Sequence, residues 1–426
     1  MQSSLSSAEC IQLLARLPRG SVEKIAMWPN VHYKKDVIDI LMWNRWLLRV
    51  LGVWPLVYPD TTRIEKILAI FSFALCWTVL SLFLILTSMY TFSDRSIMSE
   101  KMKMLGPLGY VFFSMLKYFF LVVRHKSIRQ CIKILSADWC MVKEECHRKI
   151  MVRDAEKGHL LSKFCIVFMY CGGLSYNTVM PFLSQAPEHE QNVTVRPMAY
   201  LGFDILFNLQ LMPVYVFAFL LQCFTGVVMF NITTSVCCLA AMFVAHACGQ
   251  INIVISRVKN LVKSEQNNNV KFEQGIAIIM QHHVRALRFS ANIEDTLREI
   301  CLVELVGTTL IMCLVEYSLM MEWNNSDSIA IFTYFFLFIS FVFNIFIFCY
   351  ISELLTEQCS KVGHTTYKIE WYKLPGKTAL DLMLMITMSR YPIQITAGKL
   401  ISLSFANFGN VLKTSLAYMN LLRTAI

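Results

Sequence analysis

Long apolar runs separated by short polar segments dominate this chain. The runs Ile67–Tyr90, Phe164–Gln185 and Ile329–Ile351 contain no Asp, Glu, Lys or Arg. Each is longer than the roughly 20 residues that a helix needs to cross the hydrocarbon core of a bilayer. Four further segments are mainly apolar over a similar length. The pattern predicts an all-α membrane protein, one domain with seven transmembrane helices at 67–90, 104–123, 164–185, 205–228, 300–321, 329–351 and 399–423.

The distribution of Lys and Arg predicts which side of the membrane each connection faces. Residues 1–66 and 124–158 hold nine each, 257–300 hold seven and 352–379 hold four, whereas the alternating connections hold three or fewer. Connections rich in Lys and Arg remain in the cytoplasm. The N-terminus is therefore predicted to be cytoplasmic and the C-terminus extracellular, the reverse of a G-protein-coupled receptor.

One uncharged stretch, 205–256, is too long for a single crossing. As one helix it would measure ~78 Å. Two crossings with a turn near Phe230–Ser235 would place the Lys and Arg residues of 257–300 outside, which the charge pattern rejects. We therefore expect the first half to cross and Val236–Ile255 to continue as an apolar helix on the cytoplasmic side. Because such a helix has to be covered by protein, we expect a cytoplasmic helical bundle that is shared between subunits.

Three cytoplasmic regions are expected to form this anchor of helices: 124–163, 236–299 and 352–390. The N-terminal region, 1–66, is expected to be cytoplasmic as well. Within it, Asp36–Leu56 is apolar on one side and carries two Arg residues, so it is predicted to lie at the membrane interface without crossing.

Composition supports a polytopic membrane protein, since 56% of the residues are hydrophobic. The formal net charge of +10 equals the excess of Lys and Arg over Asp and Glu in the four cytoplasmic segments. The surplus therefore reflects topology and attraction to anionic lipid, not a nucleic-acid partner. Residues 1–36 lack a continuous apolar stretch, so no cleaved signal peptide is expected. The cysteines are scattered, and segments 186–200 and 322–328 contain none, which argues against a disulfide framework.

The sequence contains only incomplete matches to enzymatic and metal-binding motifs. Gly376-Lys377-Thr378 resembles the end of a phosphate-binding loop, but the first glycine of that motif would fall at Trp371. Cys140, Cys146 and His147 share a cytoplasmic segment, but their spacing fits no zinc ribbon. We expect no enzymatic activity, no cofactor and no metal site.

Two glycosylation motifs fall in the predicted external connections. They begin at Asn192 and Asn324. A third match, at Asn231, is expected to lie too close to the inner face for modification. Glycosylation is therefore expected at Asn192 and Asn324.

The last predicted helix is the least apolar of the seven. Its polar residues are Ser402, Ser404, Asn407, Asn410, Lys413, Thr414 and Asn420. A charge near mid-depth, as at Lys413, is costly unless it meets water or protein. Two interpretations remain open: polar contacts between packed helices, or the lining of a water-filled path. In the second, several copies surround a common axis.

Aromatic side chains are frequent in the predicted outer half of the bundle. Ligand sites are mostly apolar, so these residues predict a cavity for a small volatile or lipid-like molecule, although they could simply pack or face lipid. The candidate ligand-binding residues are Phe112, Phe113, Tyr176, Met180, Phe207, Met212, Phe332, Phe335 and Phe336.

Three C-terminal segments resemble the signature of insect odorant receptors, in the form common in ants, bees and wasps. They are Glu370–Pro375, Arg390–Lys399 and Val411–Arg423. The resemblance implies a heterotetrameric, odorant-gated, non-selective cation channel formed with the odorant receptor co-receptor. In that family the last helix of each subunit lines a central pore, and ligand binds in the outer half among spans two, three, four and six.

The same resemblance assigns expected roles to the last helix. Leu421 falls at the hydrophobic gate, and Tyr418 matches the Tyr of the family's Thr-Tyr-…-Gln pattern. Ala417 and Thr424 replace its Thr and Gln, which suits a ligand-selective tuning subunit better than a co-receptor. The expected pore residues are Lys413, Thr414, Tyr418, Leu421, Thr424 and Ala425.

The main hypothesis is thus an odorant receptor subunit in the plasma membrane of olfactory sensory neurons. Two alternatives stay open. A gustatory receptor of the same superfamily would form homotetramers. A secondary transporter would use the embedded acidic residues Asp204, Glu304 and Glu316, but the spans show no inverted repeat.

Overall fold

The computed structural model describes residues 32–58, 61–93, 98–183, 198–264, 269–325, 327–369 and 376–425. Within these ranges the chain is mostly helical, which confirms the predicted all-α fold class. The main elements are α1 (Tyr33–Val50), α2 (Trp54–Val57), α3 (Arg63–Thr91), α4 (Met98–Val123), α5 (His125–Met141), α6 (Glu145–Leu174), α7 (Met180–Leu183), α8 (Met212–Ser264), α9 (Asn269–Asn325), α10 (Ser328–Tyr367), α11 (Gly376–Ser389), β1 (Thr396–Ala397), β2 (Ile401–Ser402) and α12 (Phe405–Ala425).

Among the described residues, five helices are long and apolar enough to cross a membrane: α3, α4, α8, α9 and α10. The two remaining predicted crossings lie on α6 with its continuation and on α12. Both of these helices are less apolar, since α6 starts in a charged stretch and α12 carries the polar residues named above.

The start of α12 differs from the prediction, because residues 399–404 are not helical. β1 pairs antiparallel with β2, and the turn between them places Gly398 and Lys399 at φ values of 63° and 61°. Glycine adopts this left-handed conformation without strain, and a Cβ atom on Gly398 would lie 2.8 Å from Cδ2 of Leu302, so both the backbone and the close approach favour glycine. The left-handed turn delays the helix until Phe405.

The uncharged stretch 205–256 forms one long helix from Met212 onward, preceded by a short 3-10 turn at Phe203–Ile205. Every residue from Val228 to Gln250 is buried. The helices α1, α6, α9 and α10 pack around it. The apolar surface of α8 is therefore covered largely within this single chain, and α8 is the central element of the fold.

The N-terminal helix α1 packs its apolar side against α8. The Asn44 side chain donates to the Cys238 carbonyl at 3.4 Å, and the Asn231 side chain donates to the Leu47 carbonyl at 3.1 Å. After α1, Gly52 adopts a φ of 70°, and a Cβ there would lie 2.2 Å from the Ala69 carbonyl oxygen. This turn holds the amphipathic segment against the bundle.

A buried carboxylate connects α5, α8 and α9. Asp138 of α5 accepts a hydrogen bond from Nε2 of His246 on α8 at 3.0 Å and pairs with Arg285 of α9. Because a buried charge is stable only when it is paired, this contact fixes the relative positions of α5, α8 and α9.

Candidate ligand cavity and last helix

A cavity of about 40 Å³ lies inside the helical bundle. Its walls come from α4, from the π-helical turn after α6, from the segment before α8, and from α8, α9 and α10. The lining residues are Lys103, Gly106, Pro107, Tyr110, Tyr176, Tyr200, Met229, Phe230, Ile311, Leu314, Val315, Ser318, Tyr334, Leu337 and Phe341.

A change of helix type brings Tyr176 into this cavity. The helix α6 continues into a π-helical turn at Ser175–Val179, a conformation often found at functional sites. Just before it, Gly172 and Gly173 let α6 approach its neighbours closely. A Cβ on Gly173 would lie 2.1 Å from the ring of Phe230, which itself lines the cavity.

The cavity wall is built of aromatic rings that contact one another. Tyr110 meets Phe341 edge-on with ring centroids 5.4 Å apart, and it lies 5.8 Å from Phe230. Tyr176 meets Tyr334 edge-on at 6.0 Å. Such pairs add to the stability gained by burying the rings. The chemistry of this wall suits a small, neutral, largely apolar ligand.

A buried ion pair lies beside the cavity. The Lys117 ammonium is 3.0 Å from Oε2 of Glu304 and donates to Oγ1 of Thr233 at 2.6 Å. The same Thr233 hydroxyl lies 3.2 Å from the Tyr110 hydroxyl. Asn344 donates to Oε1 of Glu304 at 2.5 Å. The network therefore joins α4, α8, α9 and α10 through one paired charge.

The acidic residues that a transporter would use lie apart. Glu304 is paired with Lys117, and Glu316 accepts a hydrogen bond from Ser415 at 3.0 Å. Asp204 is exposed in the 3-10 turn before α8. These three residues do not form one ion-binding site.

Of the candidate ligand-binding residues, Tyr176 lines the cavity inside the bundle. Phe112 and Phe113 line a separate open groove of about 710 Å³ bordered by α3, α4, α9 and α12. Phe207 lines a further pocket of about 540 Å³ formed by Tyr90 and the segment 198–210. The side chains on outward surfaces are Met212, Phe332, Phe335 and Phe336. The side chain of Met180, the first residue of α7, lies outside the described part of the chain.

Sequence reasoning missed Tyr110, Tyr200 and Tyr334, which all line the cavity. On α10 it chose Phe332, Phe335 and Phe336, which face away from the wall residue Tyr334. A spacing of three and then four residues places Tyr334, Leu337 and Phe341 on one face of α10. This spacing is the signal that could have identified the cavity-lining face.

The last helix α12 has a covered side and an open side. Ser415 is fully buried, whereas Leu421 is 65% exposed and Tyr418 is 48% exposed. Lys413 and Thr424 are exposed as well. Thr414 is half-buried, and its hydroxyl donates to the backbone of its own helix. The Ala425 side chain lies outside the described residues. The open side includes the expected gate position, and its residues Tyr418 and Leu421 also border the groove lined by Phe112 and Phe113.

The glycosylation motifs have different surroundings. Asn324 is exposed near the end of α9, and Asn192 lies outside the described residues. Asn231 is buried and bonded to Leu47, so it is inaccessible in the folded chain.

One group of side chains could hold a metal ion. Glu144, Cys146 and His147 each bring one ligand atom to within 4.8 Å of the others. The Glu144 carboxylate already accepts hydrogen bonds from the Cys146 thiol at 3.6 Å and faces Nδ1 of His147 at 3.2 Å. These contacts account for the cluster without an ion.

Comparison with known proteins places the chain among receptors. The 7tm Odorant receptor family matches residues 97–416. Odorant receptor 13a of Drosophila melanogaster is 23% identical over 412 residues, covering 88% of this chain and 93% of that protein. Odorant receptor Or2 of Anopheles gambiae is 21% identical over 325 residues, covering 71% of this chain and 79% of that protein.

The fold is shared with a solved structure. The insect olfactory receptor OR5 from Machilis hrabei, in complex with eugenol, matches with a TM-score of 0.75 at 11% identity, covering 93% of this chain and 99% of that one. The likeness confirms the predicted seven-helix membrane fold. Together with the family match over three quarters of the sequence, it confirms the resemblance noted at the C-terminus: the chain belongs to the 7tm odorant receptor family.

Proposed function

We propose that this chain is the ligand-selective subunit of an odorant-gated, non-selective cation channel in the plasma membrane. One observation carries the proposal. On α9, Val315 lines the cavity, and its neighbour Glu316 accepts the hydrogen bond from Ser415 of α12. One turn of one helix therefore contacts both the candidate ligand site and the candidate pore helix.

The pore belongs to an assembly. A single α12 helix cannot enclose a path, and its open side offers Lys413, Tyr418, Leu421 and Thr424 to a common axis. With Thr414 and Ala425 these are the proposed pore residues. The partner is the odorant receptor co-receptor, and the assembly is a heterotetramer, as the family resemblance implies.

The ligand is a small, neutral, mainly apolar volatile molecule held by the cavity around Tyr110, Tyr176 and Tyr334. Ligand pockets usually measure about 300–1,000 Å³, whereas this cavity measures about 40 Å³. Binding therefore requires the walls to move apart. That requirement supports a receptor whose ligand-free and ligand-bound conformations differ.

The direct experiment is to record whole-cell current from cells expressing this chain with and without the co-receptor, while applying a panel of volatiles. We expect ligand-evoked cation current only when both proteins are present. Robust current from this chain alone would favour the homotetrameric, gustatory-type alternative. Absence of current with every volatile despite surface expression would contradict the proposal.

A further inference from the structure

Two ion pairs join the same two helices, α4 and α9, on either side of the cavity. Nζ of Lys103 lies 2.6 Å from Oε1 of Glu322, and Nζ of Lys117 lies 3.0 Å from Oε2 of Glu304. Along α4 the two lysines are ~21 Å apart, at a rise of about 1.5 Å per residue. The cavity-lining residues of α4 begin at Lys103 and end at Tyr110, between the two pairs.

The Lys117–Glu304 ion pair, here called the inner pair, is held together by its surroundings. Only 3% of the Lys117 side chain and 1% of the Glu304 side chain are exposed. Thr308 and Asn344 donate to the Glu304 carboxylate, and Thr233 accepts from the Lys117 ammonium. Separating these groups would leave two charges buried without partners, which is strongly unfavourable.

The Lys103–Glu322 ion pair, here called the outer pair, has a different environment. The Lys103 side chain is 32% exposed, although Glu322 is 7% exposed. Because solvent reaches the ammonium, water can replace the carboxylate when the pair separates. The outer pair is therefore the one that opens more easily. It lies at the end of the bundle that the charge pattern assigns to the outside.

A hinge lies next to the outer pair on α4. Pro107 is inside the helix and has no backbone N–H, so the Lys103 carbonyl, four residues earlier, lacks its normal helical hydrogen bond. Gly106 precedes this proline, and a Cβ there would meet only the Leu314 Cβ, at 3.9 Å. The outer segment of α4 can thus bend at Pro107 while the part that carries Lys117 stays in place.

We propose that the Lys103–Glu322 pair is the portal of the ligand cavity. It separates to admit the ligand from the outer side, as the outer part of α4 bends at Pro107, while Lys117–Glu304 keeps the inner parts of α4 and α9 together. Lys103 itself lines the cavity, so its movement widens the space that the ligand enters. This inference rests on the proposed function of the cavity.

The test is the speed of the response in cells that also express the co-receptor. Lys103→Met and Glu322→Gln each remove the attraction across the portal. We expect the onset of current after a ligand step, and its decay on washout, both to become 3- to 10-fold faster. Since access and escape accelerate together, the half-maximal ligand concentration of Glu322→Gln, which changes a residue outside the cavity lining, should change by less than threefold. A residue with a purely structural role would change surface expression and leave both rates unaltered.

Restoration and control variants complete the test. The double reversal Lys103→Glu with Glu322→Lys should return both rates toward those of the wild type, and Lys103→Arg should retain them. Lys101→Met removes a nearby charge from α4 and should have no effect. Where Glu322→Gln does not reach the cell surface, Lys103→Met and Lys103→Arg decide the result.

If Lys103→Met reaches the cell surface at the wild-type level and its rates of current onset and decay are unchanged, the Lys103–Glu322 pair is not the portal. A double reversal as fast as the single variants would lead to the same conclusion. Either result leaves the proposed function intact as long as the wild type responds to ligand, whereas a silent wild type contradicts that function itself.

Discussion

Ser415 of the last helix donates a hydrogen bond to Oε1 of Glu316 on α9, at 3.0 Å. Both side chains are buried. The contact connects the cavity wall to the candidate pore helix, because Val315 precedes Glu316 and lines the cavity.

Removing this hydrogen bond should weaken the coupling of ligand to channel opening. Ser415→Ala leaves the buried Glu316 carboxylate without its donor, a loss of about 1–3 kcal/mol. We expect a smaller maximal current and a half-maximal concentration raised by 5-fold or more. Glu316→Gln keeps an acceptor oxygen and should retain more of the response. A dose–response curve of Ser415→Ala that matches the wild type would exclude the contact from gating.

Filling the cavity should reduce ligand binding. Leu337 lines the cavity, and the neighbouring Phe336 is 40% exposed on the outer face of the same helix. Leu337→Trp should raise the half-maximal ligand concentration at least 10-fold, about 1.4 kcal/mol. Phe336→Trp places the same side chain outside the cavity and is the control, with an expected change below 3-fold. Equal effects of the two substitutions would argue against this cavity as the ligand site.

Shortening the expected gate residue should let the closed channel leak. Leu421 is 65% exposed on the open side of α12. A hydrophobic constriction closes a pore by excluding water, so Leu421→Ala should increase the ligand-free current several-fold. Leu400→Ala shortens another exposed leucine that lies before α12, and it should leave the current unchanged. If ligand-free current and ion selectivity both stay at wild-type values, Leu421 is not at the gate.

Breaking the inner ion pair should destabilise the protein. Lys117→Met leaves Glu304 charged and buried, at a cost of about 3–5 kcal/mol. We expect a large loss of folded protein at the cell surface. Lys117→Met combined with Glu304→Met removes both charges and should recover part of that loss. The measurement is the thermal unfolding temperature of purified protein, and a single variant as stable as the wild type would show that the pair is not closed.

The helices packed around His283 should lose stability in mild acid. Burial lowers the pKa of His283 from 6.5 to about 4, and neither ring nitrogen has a hydrogen-bond partner among the described residues. Between these pH values the unfolded chain binds a proton that the folded chain does not. The free energy of unfolding is therefore highest above pH 6.5. It falls by roughly 3 kcal/mol as the pH decreases from 6.5 to 4.

The comparison variant for this histidine is His283→Met. It should make the unfolding temperature less dependent on pH between 7 and 5, because it removes a group that titrates there on unfolding. His364→Gln changes an exposed histidine and should leave the dependence as it was. An identical pH dependence in wild type and His283→Met would contradict the assignment.

Charge patterning predicted the large features of the fold well. The stretch 205–256 could be interpreted as one helix because two crossings would have reversed the positions of Lys and Arg. The start of α12 could not be predicted, since it depends on the left-handed turn at Gly398 and Lys399 and on its contact with Leu302.

The cavity was harder to predict than the spans. In a membrane helix such as α10 the lipid-facing side and the packed side are both apolar, so the pattern does not distinguish Tyr334 from Phe332. The embedded charges Lys117 and Glu304 were both evident in the sequence. Their pairing depends on how α4 and α9 pack, which a single sequence does not show.

The most direct measurement of the central claim uses an excised outside-out patch containing this chain and the co-receptor, with no GTP in the pipette. An active volatile should open cation channels at once, and Leu337→Trp should shift that response to higher concentrations. A response that disappears without GTP would contradict the claim that the ligand cavity and the pore belong to one protein assembly.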